Sequence, residues 1–314
     1  MKLSLAAVLL LLTITAVAQQ PGRLIDIENG RRLHLVCEGT GSPTVVLEAG
    51  AGEGWYTWTR VQPVLARTYR TCSYDRAGIG FSDVRAGRSV AMLNADLHEL
   101  LRRAGEKPPF VMVGHSVGGI LVRHYAERYP CEVVGMVAVD PSVEDFEAKF
   151  PAPADEAERV RAARDARRKQ IEEWKVNGKW PEMDFHDAMP RELVKLLKPR
   201  TASAAWWEAR FAESDLPDAK TPAAIDPELP VVVITATNWA RPQWRTAERQ
   251  ASWMKARIEI QKELASRARK GQQVLAATSH HVQMEQPRLV IDAITAIVKQ
   301  LTGSTPESSS PVPR

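Results

Sequence analysis

Three side chains of this sequence have the types and the order needed to open an acyl bond. Ser116 stands in Gly114-His115-Ser116-Val117-Gly118, a G-x-S-x-G pattern. The apolar run Phe110–Val113 precedes it, and a stretch beginning Gly119-Ile120-Leu121 that reads as a helix follows it. A strand, a tight turn and a helix form the setting in which this pattern lifts a serine hydroxyl above a sheet edge. The flanking glycines are needed because a Cβ on either side of such a turn would clash.

A serine hydroxyl at its ordinary pKa is a weak nucleophile, so it needs a base, and the base needs an orienting group. When the serine sits at a strand–turn–helix, the acid and then the histidine follow it in sequence. Of seven histidines, only His280 and His281 fall in a loop between a late strand and the final helix. His34 and His98 precede the turn, His124 lies on the helix behind it, and His186 is in a charged helical region. His115 adjoins Ser116 but points elsewhere, and it reads as packing. The loop Ala236-Thr237-Asn238-Trp239, where an acid is usually found, carries no carboxylate. Asp140, at the end of the run Val133–Val139, is therefore the expected acid, ahead of Glu144 and Asp145. The alternative is that Asp140 only caps the turn before Pro141. Donors for a developing oxyanion are expected from the backbone N–H groups of Val117 and Ala51, the latter in Glu48-Ala49-Gly50-Ala51-Gly52.

Two rival chemistries fit poorly. Gly50-x-Gly52-x-Gly54 faintly resembles a dinucleotide loop, but Trp55 occupies the place of the third glycine and this is not the first strand. His98-Glu99 is followed by Arg102 rather than a second ligand, so a zinc-protease spacing is absent. The reading expects neither a metal nor a cofactor.

The elements that would hold these residues alternate, short apolar runs with helical stretches, the mark of an α/β protein. Strands are expected at Arg31–Cys37, Thr44–Glu48, Arg70–Tyr74, Phe110–Val113, Val133–Val139, Val231–Thr235 and Gln273–Ala277. Several are continuous apolar runs, as in strands buried on both faces. Helices are expected at Val90–Ala104, after Ser116, at Trp244–Lys270 and at Pro287–Leu301. Residues 142–229 show no strand signal and read as a helical lid inserted between two core strands. Its Trp206 and Trp207 are candidates to line an acyl pocket or, alternatively, to anchor the lid. The expected division is a leader at 1–18, a core at 19–141 and 230–302, the lid, and a disordered tail at 303–314.

Lys2, the apolar stretch Leu3–Thr15 and Ala16-Val17-Ala18 fit a secretory leader cleaved near Ala18. The apolar stretch is short for a membrane span, so export to the periplasm or medium is expected, without stable membrane insertion. The chain has 42 basic and 38 acidic residues, net +4. That charge is small and mixed, which argues against nucleic acid as a partner. Three cysteines, Cys37, Cys72 and Cys131, leave at least one unpaired in an exported chain. Cys37 and Cys72 fall on strands expected to be neighbours and can bridge; buried free thiols are the alternative.

The segments "VVLEAGAGEGW", "RTCSYDRAGIGFSD", "FVMVGHSVGGILVRHYAERYP", "VVGMVAVDPS" and "HHVQMEQPRLVIDAI" resemble, in order, those of the α/β-hydrolase fold superfamily. The resemblance covers the mature chain apart from the lid and tail. It implies a mostly parallel sheet with the lid between strands 6 and 7, and it gives His280 the catalytic place and His281 that of an apolar neighbour. Asp75 and Arg76 then order the loop "YDRAGIGFS". The chain departs from the family where Glu48 replaces a common histidine and where the usual acid is missing. A serine nucleophile also argues against the haloalkane-dehalogenase and epoxide-hydrolase branches. The expectation is an exported serine hydrolase acting on a small carboxylic ester. Cleavage of amides or peptide N-termini, perhydrolysis or C–C hydrolysis, and ligand binding without chemistry are the alternatives.

Overall fold

The computed structural model describes residues 21–183 and 185–303. The expected leader and, apart from Gly303, the expected tail lie outside the described residues. Eight strands form one sheet: β1 Arg23–Glu28, β2 Arg31–Glu38, β3 Thr44–Glu48, β4 Thr71–Tyr74, β5 Phe110–His115, β6 Val133–Val139, β7 Val231–Ala236 and β8 Gln272–Ala276. Their order is β1-β2-β4-β3-β5-β6-β7-β8. β1 and β2, and β2 and β4, are antiparallel, whereas every pair from β4 to β8 is parallel.

The period of two along the strands explains how both faces are filled. In β5, Phe110 and Met112 face one side while Val111 and Val113 face the other; β6 divides Met136 and Ala138 from Val137 and Val139 in the same way. Helices α1 (Gln62–Leu65), α2 (Val90–Ala104) and α3 (Val117–Arg128) follow the early strands. Four more, α4 (Phe146–Lys149), α5 (Ala154–Asn177), α6 (Arg191–Thr201) and α7 (Ala204–Glu213), lie between β6 and β7. α8 (Ala247–Ser266), α9 (Val282–Glu285) and α10 (Pro287–Thr302) follow β7 among the described residues. Leu97 of α2, Tyr125 of α3 and Leu264 of α8 cover one face of the sheet. Leu65 of α1 and Val290, Ile294 and Val298 of α10 cover the other.

The short helices α1 and α9 were not expected, and β1 and α8 also differ from expectation. β1 was not foreseen, because Arg23, Asp26 and Glu28 interrupt its apolar positions. It is an edge strand, with only Ile27 fully buried, and an edge tolerates exposed charge. The helix expected from Trp244 begins at Ala247, where the Thr246 hydroxyl accepts from Arg249 N at 3.1 Å as an N-cap. Cys37 and Cys72 stand opposite each other across β2 and β4 and form a disulfide. Cys131 is free and exposed. Among the described residues no helix is long and apolar enough to cross a membrane.

Candidate active site

Ser116 lies between β5 and α3 with φ 54° and ψ −122°, a conformation costly for a residue with a Cβ. Its neighbours leave no room to relax. A Cβ on Gly114 would come 2.3 Å from Gly118 O, and one on Gly118 would come 2.5 Å from Ala49 O. The turn is pinned to the next strand, since Ser116 N donates to Val139 O at 3.1 Å and Ser142 N donates to Ser116 O at 2.9 Å.

Asp140 immediately follows β6, whose Val139 is in register with His115 of β5. Parallel pairing thus brings the serine and the acid to the same sheet edge. Asp140 also has positive φ, 41°, and is fully buried. Its Oδ2 bonds His280 Nδ1 at 2.7 Å and accepts from Trp239 Nε1 at 2.9 Å. Its Oδ1 accepts from Arg257 Nη2 at 2.6 Å, from Ala236 N at 3.1 Å and, more weakly, from Gln261 Nε2 at 3.4 Å. Burial works against the charge, yet the bond to His280 and the charge of Arg257 overcome it and hold the carboxyl at about 2. The other acids considered are committed elsewhere: Glu144 pairs with Arg123 and Asp145 with Lys149.

His280 sits in the loop between β8 and α9, partly exposed, with its ring 4.3 Å from that of Trp239. Burial and the nearby His115 lower its pKa to about 4 against the opposing pull of Asp140. The ring is therefore neutral at pH 7, with its Nδ1 proton directed at Asp140.

The loop after β3 supplies a distinctive set of amides. Gly50 N donates to Glu53 Oε2 at 3.2 Å, and Gly52 N donates to Glu213 Oε2 at 2.8 Å. Ala51 N–H, between them, has no acceptor among the described residues. Val117 opens α3, so no carbonyl of its own helix reaches its N–H. Ala51 packs against the apolar cluster that contains Val117 and Ile120.

Arg76 fixes this loop from beneath. It is buried and donates to Ala49 O at 2.9 Å, to Glu53 O at 3.3 Å and, through Nε and Nη2, to both carboxylate oxygens of Glu213 at 2.9 and 2.8 Å. Nη1 also donates to Glu48. Asp75 accepts from Trp55 N at 3.0 Å and from Phe81 N at 3.1 Å, and bonds His34 at 2.8 Å. Glu213 belongs to α7, so the helical segment is clamped to the loop by a buried charge. No local pattern in the sequence pointed to it.

Glu53 was likewise not foreseen. Its Oε2 faces His115 Nδ1 at 3.1 Å, and its Oε1 faces His281 Nε2 at 2.8 Å. His281 was expected to stand in an apolar place; instead it is bonded to a carboxylate. His115 does more than pack, since its Nε2 meets the His280 carbonyl at 3.0 Å.

A cavity of about 180 Å³ opens beside these groups. Glu53, Tyr56, His281 and Met284 line it from the core; Met183, Phe185, His186, Met189 and Arg210 line it from the helical segment. Trp206 and Trp207 are not in its wall. They pack with Ile79 and Ala209, and with Trp174 and Trp180, and Trp206 backs the cavity only through Arg210, whose guanidinium lies 5.4 Å from the indole centre.

The strained serine turn at a parallel sheet edge, the carboxylate and the histidine define a hydrolase architecture. A family model described as the alpha/beta hydrolase family matches residues 45–293, and the chain belongs to that family. Relatives include the uncharacterized protein YqjL of Bacillus subtilis, 35% identical over 109 residues, which are 34% of this chain and 43% of that protein. YbdG of the same organism is 27% identical over 153 residues, 44% of this chain and 47% of that one. The chain thus spans less than half the length of these curated relatives. A solved thermophilic esterase from Thermogutta terrifontis superposes with a TM-score of 0.61 at 20% identity, covering 89% of this chain and 98% of its own. Epoxide hydrolase CorEH gives a TM-score of 0.62 at 18% identity, covering 88% and 98%. At such identities the likeness is one of fold.

Proposed function

We propose that the chain is a serine hydrolase that cleaves carboxylic esters through an acyl-enzyme on Ser116. The observation that carries this reading is the 2.7 Å contact between Asp140 and His280 Nδ1, at the sheet edge where Ser116 follows β5. Asp140 keeps the proton on Nδ1, so Nε2 is free to take the Ser116 proton as Oγ attacks the acyl carbonyl. The amides of Ala51 and Val117 receive the oxyanion. His280 then returns the proton to the departing alcohol, and a water molecule repeats the sequence to release the acid. The apolar wall of Met183, Phe185, Met189 and Met284 suits a small acyl or alkyl group, and the helical segment acts as the lid over it.

Export fits the leader-like first residues and the Cys37–Cys72 bridge, since disulfides persist in oxidising compartments. The test is turnover of a panel of 4-nitrophenyl esters, an anilide and a terminal epoxide by purified protein. Ester turnover abolished by Ser116→Ala supports the reading. Epoxide opening in preference to ester cleavage, or no turnover by folded protein, contradicts it.

A further inference from the structure

Resting on the serine-hydrolase reading above, we propose that Glu53 is a positioning residue. Its carboxylate orients the His115 ring, whose Nε2 anchors the His280 main chain, and holds a protonated His281 beside the His280 ring.

The His115 side chain is only 1% exposed, and both of its nitrogens face oxygen: Nδ1 the Glu53 carboxylate at 3.1 Å, Nε2 the His280 carbonyl at 3.0 Å. A carbonyl can only accept, so Nε2 carries a proton. Glu53 Oε2 already accepts from Gly50 N, and Oε1 meets His281 Nε2 at 2.8 Å. An ionised Glu53 accepts from both Gly50 N and His281 Nε2 while facing His115 Nδ1. Burial opposes that ionisation, but His115 and His281 outweigh it and hold the Glu53 carboxyl well below its ordinary range. The same bond raises His281 against its own burial.

The resulting charge sits next to the base. The His115 and His280 rings are 4.5 Å apart, and those of His281 and His280 are 5.5 Å apart. The other groups facing His280 are Asp140 at the end of β6, with Arg257 of α8 behind it, and the Trp239 ring after β7. His281 is faced in turn by His186, Glu285 and Arg210. Asp140 alone would favour a protonated His280. The Glu53-held His281 cation opposes it, so the base stays competent in mildly acidic solution.

Glu53→Gln removes the counter-charge that raises His281, which then loses its proton more readily. With that positive charge gone, His280 protonates at higher pH. The test is the pH dependence of kcat/KM for 4-nitrophenyl acetate, whose acid limb reports the free enzyme's base. The acid midpoint of Glu53→Gln is expected to rise by about one pH unit, whatever the height of its plateau. His281→Gln, which removes the adjacent cation, is expected to shift it in the same direction and covers the case in which Glu53→Gln fails to fold. An unchanged or lowered midpoint in either folded variant overturns the proposal. A wild type without turnover at any pH would instead count against the serine-hydrolase reading itself.

Discussion

Replacing Asp140 by Asn keeps the shape of the acid while removing its charge, and the surrounding donors dictate how the amide must sit. Oδ1 is met by Arg257, Ala236 N and Gln261, whereas Oδ2 is met by His280 and Trp239 Nε1. An asparagine retains one acceptor oxygen, and the three-donor position, which includes a guanidinium, claims it. Its NH₂ then falls at the Oδ2 position, facing His280 Nδ1 at the 2.7 Å now seen. Nδ1 must become an acceptor, which moves the ring proton to Nε2, where it can no longer take the proton of Ser116. A wrong tautomer of this kind costs on the order of 10⁴ in turnover, or about 5 kcal/mol of barrier. The same amide leaves Trp239 Nε1 unpaired and Arg257 without its counter-charge, a stability loss of about 2 kcal/mol. Kinetics on an aryl ester, read beside urea unfolding, separate the two effects. A folded Asp140→Asn protein retaining more than a tenth of wild-type kcat/KM would refute the reasoning.

Further outcomes follow from the frame around the site. Removing the Cys37–Cys72 bridge by a double alanine replacement opens a loop of sequence separation 35 and should lower stability by about 3–4 kcal/mol. Urea midpoints that match with and without the bridge would contradict this. Trp206→Leu should lower stability by about 2 kcal/mol while leaving the preference among acetyl, butyryl and octanoyl esters unchanged, because the ring lies behind the cavity wall. An altered chain-length preference at unchanged stability would make Trp206 part of the acyl pocket.

The sequence made some of this arrangement legible and hid the rest, for identifiable reasons. The Ser116 turn is local: five residues and their flanks contain everything that forces it, including the Gly114 and Gly118 contacts. Asp140 and His280 are 140 residues apart, yet a parallel sheet delivers strand ends to one edge, so position after a strand was enough to expect them to meet. The strands themselves could be read because apolar side chains fill both faces of β5, β6 and β7. β1 escaped notice because an edge strand need not be apolar. Glu53 and Glu213 escaped for a different reason. The Glu53–His281 contact spans 228 residues and the Arg76–Glu213 contact spans 137, and no periodicity or topological rule connects them. Their partners are set by where the helical segment and the β8–α9 loop come to rest, which is a property of the folded chain. Neither His115 nor His281 could be read without Glu53.

The most direct test of the central claim is the mass of the intact protein after exposure to a fluorophosphonate, with the modified peptide sequenced. One adduct is expected, on Ser116, absent from Ser116→Ala and formed far more slowly by His280→Ala. A folded wild-type protein that takes up no adduct, or takes it up on another residue, would contradict it.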